Sequence, residues 1–219
     1  MDADAADPAA LRRSLDFIER VNRWLGYTRA TLGHLNRWYD RSIRGGALHV
    51  LDVATGSGDV PRAIVAWGRR RGIDVRVTAV DRQPLTLSIA RERSVDFPEI
   101  TLLRADALRL PLVDESVDVA MCSMFLHHLD SPGATGALRE LRRVSRGAVI
   151  AADLLRTRRA LAWITLGTVL AEPMVRHDAR ASVRQAFTPD EVRALAGEAG
   201  LRAPTLHRHF GHRFVLVDE

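Results

Sequence analysis

Short apolar runs that end on an acid or on turn residues recur along the first half of this chain, and their order predicts most of its architecture. Val50-Leu51-Asp52-Val53 runs into Ala54-Thr55-Gly56-Ser57-Gly58-Asp59, Val77-Thr78-Ala79-Val80 ends on Asp81, and Leu102-Leu103-Arg104-Ala105 ends on Asp106. Apolar runs of this kind, bounded by turn chemistry, read as buried parallel strands. Another covers 117–122, and a fifth strand ends near Asp153. The expectation is an α/β fold with a doubly wound, mostly parallel sheet. Ligands bind such sheets outside the carboxyl ends of the strands, so the acids there are candidate binding groups.

The flanks carry helical spacing. Asp7 is a candidate N-cap with Pro8 in the first turn, and Leu11, Leu15, Ile18, Val21 and Leu25 follow on one face. After Gly26 a second helix presents Leu32, Leu35, Trp38 and Tyr39 and ends near Gly45-Gly46. Residues 1–46 are therefore expected as a helical cap on a domain spanning 47–219. Within that domain a helical insertion at about 154–187, with an apolar run over 160–171, suits a substrate wall or lid. Thr188-Pro189-Asp190-Glu191 is a capping box whose helix stops at Gly200, and 203–209 and 213–217 read as two strands about a Gly211 turn.

Composition narrows the class. A chain of 219 residues with 47% apolar content fits one α/β domain with a small addition. No run approaches the roughly 18 apolar residues of a membrane span. The acidic start, Met1-Asp2-Ala3-Asp4, lacks the features of a signal peptide, so a cytoplasmic location is expected. Cys122 is the single cysteine, which excludes an internal disulfide, and its apolar strand makes it a buried structural thiol. The net charge of +5 rests entirely on arginine. Arg69-Arg70-Arg71, Arg142-Arg143 and Arg156-Thr157-Arg158-Arg159 are short runs at expected helix ends, where cations complement the macrodipole. With no basic stripe and no interleaved aromatics, a nucleic-acid partner is not expected. A small-molecule partner is, and a homodimer is compatible with the chain.

The glycine run decides between ligands. A dinucleotide site calls for G-x-G-x-x-G, yet Gly56-Ser57-Gly58-Asp59-Val60-Pro61 lacks the third glycine and sets an acid where the diphosphate would lie. Asp81 is placed to accept from both ribose hydroxyls and Asp106 from an exocyclic amine, so the ligand has an adenosine and a cationic end. On the acid followed by Gly-x-Gly, the stretch from Ala105 through Leu110-Pro111 to Ser116-Val117-Asp118, and Met124-Phe125-Leu126-His127-His128-Leu129, the chain resembles the class I S-adenosylmethionine-dependent methyltransferases, in particular the small-molecule and quinone-biosynthesis group. The resemblance spans roughly Leu48 to Asp153. Ala54 departs from it where many members have glycine, and Val144-Ser145-Arg146-Gly147 replaces a lysine-proline-glycine turn. The resemblance implies S-adenosyl-L-methionine as cofactor, held by Asp52, Ala54, Gly56, Gly58, Asp81, Arg82, Asp106, Ala107 and Cys122. It also implies a seven-stranded sheet closed by an antiparallel hairpin.

Methyl transfer from a sulfonium needs mainly alignment, and a phenol or hydroxyl acceptor gains from a base. His177, between Arg176 and Asp178, and His128, after the fourth strand, are the candidate bases. Trp24, Tyr27, Trp163 and Arg176 are the candidate substrate contacts. His207, His209 and His212 lack carboxylate support, and no metal is expected. The favoured reaction is O-methylation of a phenolic or polyketide-like compound, with C-methylation of a quinone-type ring as the alternative. From other classes come a non-catalytic adenosine-ligand-binding protein and a nicotinamide-dependent oxidoreductase.

Overall fold

Seven strands form one sheet in a computed structural model that describes residues 7–42, 46–167, 180–209 and 213–219. They are β1 (Leu48–Val53), β2 (Val75–Asp81), β3 (Ile100–Arg104), β4 (Val117–Ser123), β5 (Ser145–Leu154), β6 (Thr205–His209) and β7 (Arg213–Asp218), in spatial order β3-β2-β1-β4-β5-β7-β6. The first five run parallel; β7 is antiparallel to both β5 and β6. The chain winds one way from β1 to β2 and β3 and the other way to β4 and β5. The switch point thus lies between β1 and β4, where the glycine loop begins.

Continuous apolar strands need cover on both faces. On one face α2 (Tyr27–Ser42) and α3 (Asp59–Arg71) bury Leu35, Trp38, Tyr39, Ile64 and Trp67 against Val50, Val77, Met121 and Ile150. On the other, α5 (Ser131–Val144) and α7 (Pro189–Glu198) bury Leu138, Leu141, Val192 and Leu195 against Leu51, Ala120, Val149 and Phe214. The remaining described helices are α1 (Pro8–Trp24), α4 (Pro84–Arg93) and α6 (Arg158–Gly167), with a short helical stretch over 180–185.

The end signals act as their chemistry dictates. Asp7 caps α1 by accepting from the Ala9 N–H at 3.0 Å, and Thr188 and Glu191 complete a reciprocal capping box on α7. Three expectations change. The inner face of α1 buries Leu15 and Asn22, while Ile18 and Leu25 are 41% and 44% exposed, because this helix lands on a polar loop rather than on the sheet. Arg158 and Arg159 lie in the first turn of α6, the unfavourable end of the macrodipole for a cation. β6 begins two residues later than expected, and β7 runs on to Asp218. Residues 168–171 of the expected apolar helix, and Gly211, lie outside the described residues.

Gly147 is where α2 meets the sheet. A Cβ there would overlap the Trp38 ring and lie 2.6 Å from the Asp118 carbonyl oxygen. Gly147→Ala is expected to lower stability by about 1 to 3 kcal/mol, the usual cost of overpacking. A urea midpoint no lower than that of the open-site control Gly197→Ala, which meets nothing within 4 Å, would contradict this packing.

Candidate active site

At the carboxyl end of β1 the chain turns on three residues with positive φ: Ala54 (58°), Gly56 (56°) and Gly58 (76°). Glycine takes this conformation freely, whereas Ala54 holds it with a Cβ and some strain. The turn is tied to the next strand by Thr55 N–H, which donates to the Val80 carbonyl at 2.9 Å. Gly58 caps α3 with φ 76°, and protein packing adds a second reason for glycine there. A Cβ there would lie 3.3 Å from both Arg62 Nη1 and Ser94 Oγ, a tight contact that these side chains would have to shift to relieve. At Gly56 a Cβ would meet only Leu15 of α1, at 3.9 Å.

Asp81 ends β2 beside this loop. Its Oδ2 accepts from the Gly56 N–H at 3.1 Å and its Oδ1 from the Gln83 N–H at 2.9 Å. Burial raises its pKa, and the two amides pull it back down. Asp52 is deeper, 1% exposed, and burial pushes its carboxyl to about 7 against the pull of the Thr55 hydroxyl. Neither Asp52 Oδ1 nor Thr55 Oγ1 makes a hydrogen bond of ordinary geometry, and Ser123 Oγ, across on β4, is also buried without a partner. Three orphaned polar atoms around the switch point describe a cradle for a polar ligand. Asp106 ends the next loop in the open, accepting from Leu108 N–H at 2.9 Å, with Ala107 half-buried next to it. Arg82 is exposed, and its carbonyl, not its guanidinium, is engaged, by Arg104. Cys122 is fully buried with its thiol pKa raised by burial, as a structural thiol should be.

The first helix lies across the glycine loop. Glu19 pairs with Arg62 at 3.1 Å and Arg93 at 3.2 Å and accepts from Ser57 at 3.4 Å, while Asn22 donates to Asp59 at 3.2 Å. A cleft of about 590 Å³ beside these pairs is lined by Asp16, Glu19, Arg20, Arg23, Arg62 and Arg93. It contains none of the strand-end acids.

On the far side of the switch point a second polar group gathers at β4, β5 and β7. His127, in the turn Leu126–His128, donates or accepts through Nδ1 to Asp153 Oδ1 at 2.6 Å, and its backbone N–H donates to Asp153 Oδ2 at 3.1 Å. Both side chains are buried. The His128 ring leans on His127 with centroids 4.0 Å apart but is itself exposed. Its pKa is lowered to about 4, first by desolvation and then by His127. Tyr27 is buried on the other side, with its hydroxyl accepting from Met124 N–H at 3.3 Å and the Arg213 guanidinium 4.9 Å over its ring. Burial holds the phenol pKa well above its usual value. Trp24, by contrast, is 82% exposed on the outer face of α1 and takes no part in this group. Arg176 and His177 lie outside the described residues, as does the side chain of Trp163.

Sequence reasoning favoured His128 over its neighbour because nothing local distinguishes the two; the distinguishing partner, Asp153, comes from a different strand. It overlooked Arg213 for the same reason. His34 of α2 also joins the hairpin imidazoles, with Nε2 3.1 Å from His209 Nε2 and its ring 4.4 Å from that of His207. Burial lowers the His34 pKa to about 3. Among the described residues no group of three or more histidine, cysteine or acidic side chains is arranged to hold a metal ion.

A methyltransferase-domain family model matches residues 50–147, which contain the glycine loop and both strand-end acids. Residues 50–147 are thus similar to a methyltransferase domain. Over 109 residues the chain is 30% identical to the ubiquinone/menaquinone biosynthesis C-methyltransferase UbiE of Rickettsia felis, covering 48% of this chain and 43% of that one. Over 126 residues it is 26% identical to the demethylmenaquinone methyltransferase of Staphylococcus aureus, covering 58% and 50%. The chain thus spans about half the length of these relatives. Its fold matches that of a SAM-dependent methyltransferase from Aquifex aeolicus with a TM-score of 0.68, at 20% identity over 98% of each chain. The domain's cofactor is S-adenosylmethionine. The residues present fit it: Asp81 retains free lone pairs for a ribose diol, and the orphaned Asp52 Oδ1 suits a cationic or amine-bearing end.

Two predictions follow from this geometry. Asp81→Ala should weaken S-adenosylhomocysteine binding in calorimetry by roughly 2 to 3 kcal/mol, the scale of a lost charged acceptor, whereas Asp106→Ala, at an exposed site, should cost less. Equal losses would remove Asp81 from the ribose role. For Asp52, the folded-state pKa lies above the ordinary value of 3.8, at about 7. Between those values the folded protein holds a proton that the unfolded chain has released, so stability falls as pH rises through the window. Asp52→Asn should flatten that decline, and denaturant titrations at pH 4 to 8 that give parallel curves for both proteins would refute it.

Proposed function

We propose that the protein transfers the methyl group of S-adenosylmethionine to a small, largely apolar acceptor carrying an acidic hydroxyl or enol, with His127 as the base. The observation that carries this reading is the buried His127–Asp153 pair at the carboxyl ends of β4 and β5. When bound, the cofactor supplies an electrophilic methyl on a sulfonium whose leaving group departs neutral. The chain then has three tasks: to hold the acceptor in line, to exclude water and to take one proton. Asp153 accepts from the His127 Nδ1–H, which selects the tautomer with its lone pair on Nε2. That nitrogen makes no hydrogen bond among the described residues. It is free to accept the acceptor's proton, leaving an anion, and Asp153 offsets the positive charge that then forms on the ring. Tyr27, held neutral by burial, supplies an apolar wall.

The anion of a phenol or enol is nucleophilic at both oxygen and carbon. The names of the relatives, C-methyltransferases of quinone biosynthesis, favour carbon; the O-methylation expected from the sequence is the second product the same anion can give. Among the described residues no helix is long and apolar enough to cross a membrane.

With a short-chain demethylmenaquinol and simple phenols as acceptors, His127→Ala should lower kcat by about 10²- to 10⁴-fold, the usual range for a lost general base. Asp153→Asn should lower it at least about tenfold, and His128→Ala should leave it nearly unchanged, with S-adenosylhomocysteine affinity preserved in all three. Full activity of folded His127→Ala would refute the assignment. A ¹³C-methyl label read by NMR separates carbon-bound methyl from methoxy.

A further inference from the structure

Arg213 begins β7, opposite Leu154 in the register with β5, and so stands at the carboxyl end of the parallel strands. It is 3% exposed, and its Nε and Nη1 are buried with no acceptor among the described residues. Its described partner is the face of Tyr27, 4.9 Å away. Asp153, the carboxylate acting on it electrostatically, is committed elsewhere: it accepts from His127 Nδ1, the His127 N–H and the Leu154 N–H.

The chain treats its other part-buried arginines differently. Arg62 pairs with Glu19, Arg93 with Asp16 and Glu19, and Arg143 with Glu140 and Asp114. Arg180, whose Nε is also buried without an acceptor, is only half-buried overall. A guanidinium does not shed its proton in a protein, so Arg213 remains a cation with free donors in a desolvated place. A charge left unpaired there opposes folding unless something supplies its counterion.

We propose that Arg213 is the anchor for an oxyanion of the acceptor, a carboxylate or the conjugate base of a phenol or enol, on a planar apolar body that packs against Tyr27. Nε and Nη1 lie on different edges of the guanidinium, each of which forms a fork with Nη2, so a planar oxyanion would engage one edge. This deepens the function proposed above and rests on it, since it assigns the acceptor's charge. It also complements His127: the anion produced by proton removal would form beside a fixed cation.

Benzoate and its neutral isostere benzamide are suitable probes, titrated calorimetrically with and without S-adenosylhomocysteine. The wild-type protein should bind benzoate at least about tenfold more tightly than benzamide, as expected when a charge-assisted pair replaces a neutral contact. Arg213→Gln should abolish that preference and leave S-adenosylhomocysteine affinity within about twofold. Arg213→Lys, which keeps the charge and loses the fork, should weaken benzoate several-fold and leave benzamide unchanged. Equal wild-type affinities for the two probes, or an undiminished preference in Arg213→Lys, overturn the anchor even where Arg213→Gln does not fold. A large loss of S-adenosylhomocysteine binding in Arg213→Gln also overturns it, by giving the cation to the cofactor. Failure of the wild type to bind S-adenosylhomocysteine would defeat the methyltransferase reading, and the probe comparison made without it would still decide the anchor.

Discussion

The parallel pairing of β1 with β2 on one side and β4 on the other governs everything else in this molecule. Asp52 stands opposite Ala79 and Met121 in that register, and Val53 opposite Val80 and Cys122. Because the three strands run the same way, their polar ends emerge together; because the chain winds outward in both directions from β1, the helices that follow β1 and β4 diverge from that point. The crevice is therefore a consequence of topology. The glycine loop then turns the chain away within three residues of positive φ, and Asp81 fixes that turn by accepting from the Gly56 N–H.

The same constraint divides the labour of the site. Toward β2 and β3 the groups are acids with amide partners, suited to hydroxyls and amines. Toward β5 and β7 they are an imidazole, a carboxylate, a phenol and a guanidinium, which can move a proton and hold a charge. The first helix closes the former side through Glu19 and Asn22, and the second helix contributes Tyr27 to the latter. Trp38 seated over Gly147 keeps α2, and hence Tyr27, in place on the sheet.

Much of this was legible before any coordinates. Strand ends announce themselves because an apolar run and its terminal acid are contiguous in sequence, and the glycine loop, Asp81 and Asp106 share that property. Cap chemistry at Asp7 and Thr188 is local too. What was not legible depends on partners distant in the chain. His127 differs from His128 only through Asp153, and Arg213 looks like one more strand residue until Tyr27 lies beneath it. The inner face of α1 was misread because helical periodicity reports apolar contact, and this helix meets a polar loop. The packing of Gly58 against Arg62 and Ser94 was likewise not legible, because both neighbours are brought there by the fold.

Among the described residues, five of the eight buried polar atoms left without partners lie near the carboxyl ends of the parallel strands; the other three are Asn22 Oδ1, Ser94 Oγ and Arg180 Nε. Asp52 Oδ1, Thr55 Oγ1 and Ser123 Oγ surround the switch point, while Arg213 Nε and Nη1 lie on the acceptor side. Each opposes folding, since a desolvated donor or acceptor has given up water and received nothing in return. Elsewhere the chain satisfies comparable groups: Asp118 is held by Arg146 and the His49 N–H, and Asp218 by the Ala203 N–H. Those satisfied acids lie toward the amino ends of the parallel strands, whereas Asp52, Thr55, Ser123 and Arg213 lie at the carboxyl ends, where a ligand can complete them. On that argument the Arg213 guanidinium and the Asp52 carboxylate are the two charged groups at this end of the sheet that a bound ligand would complete.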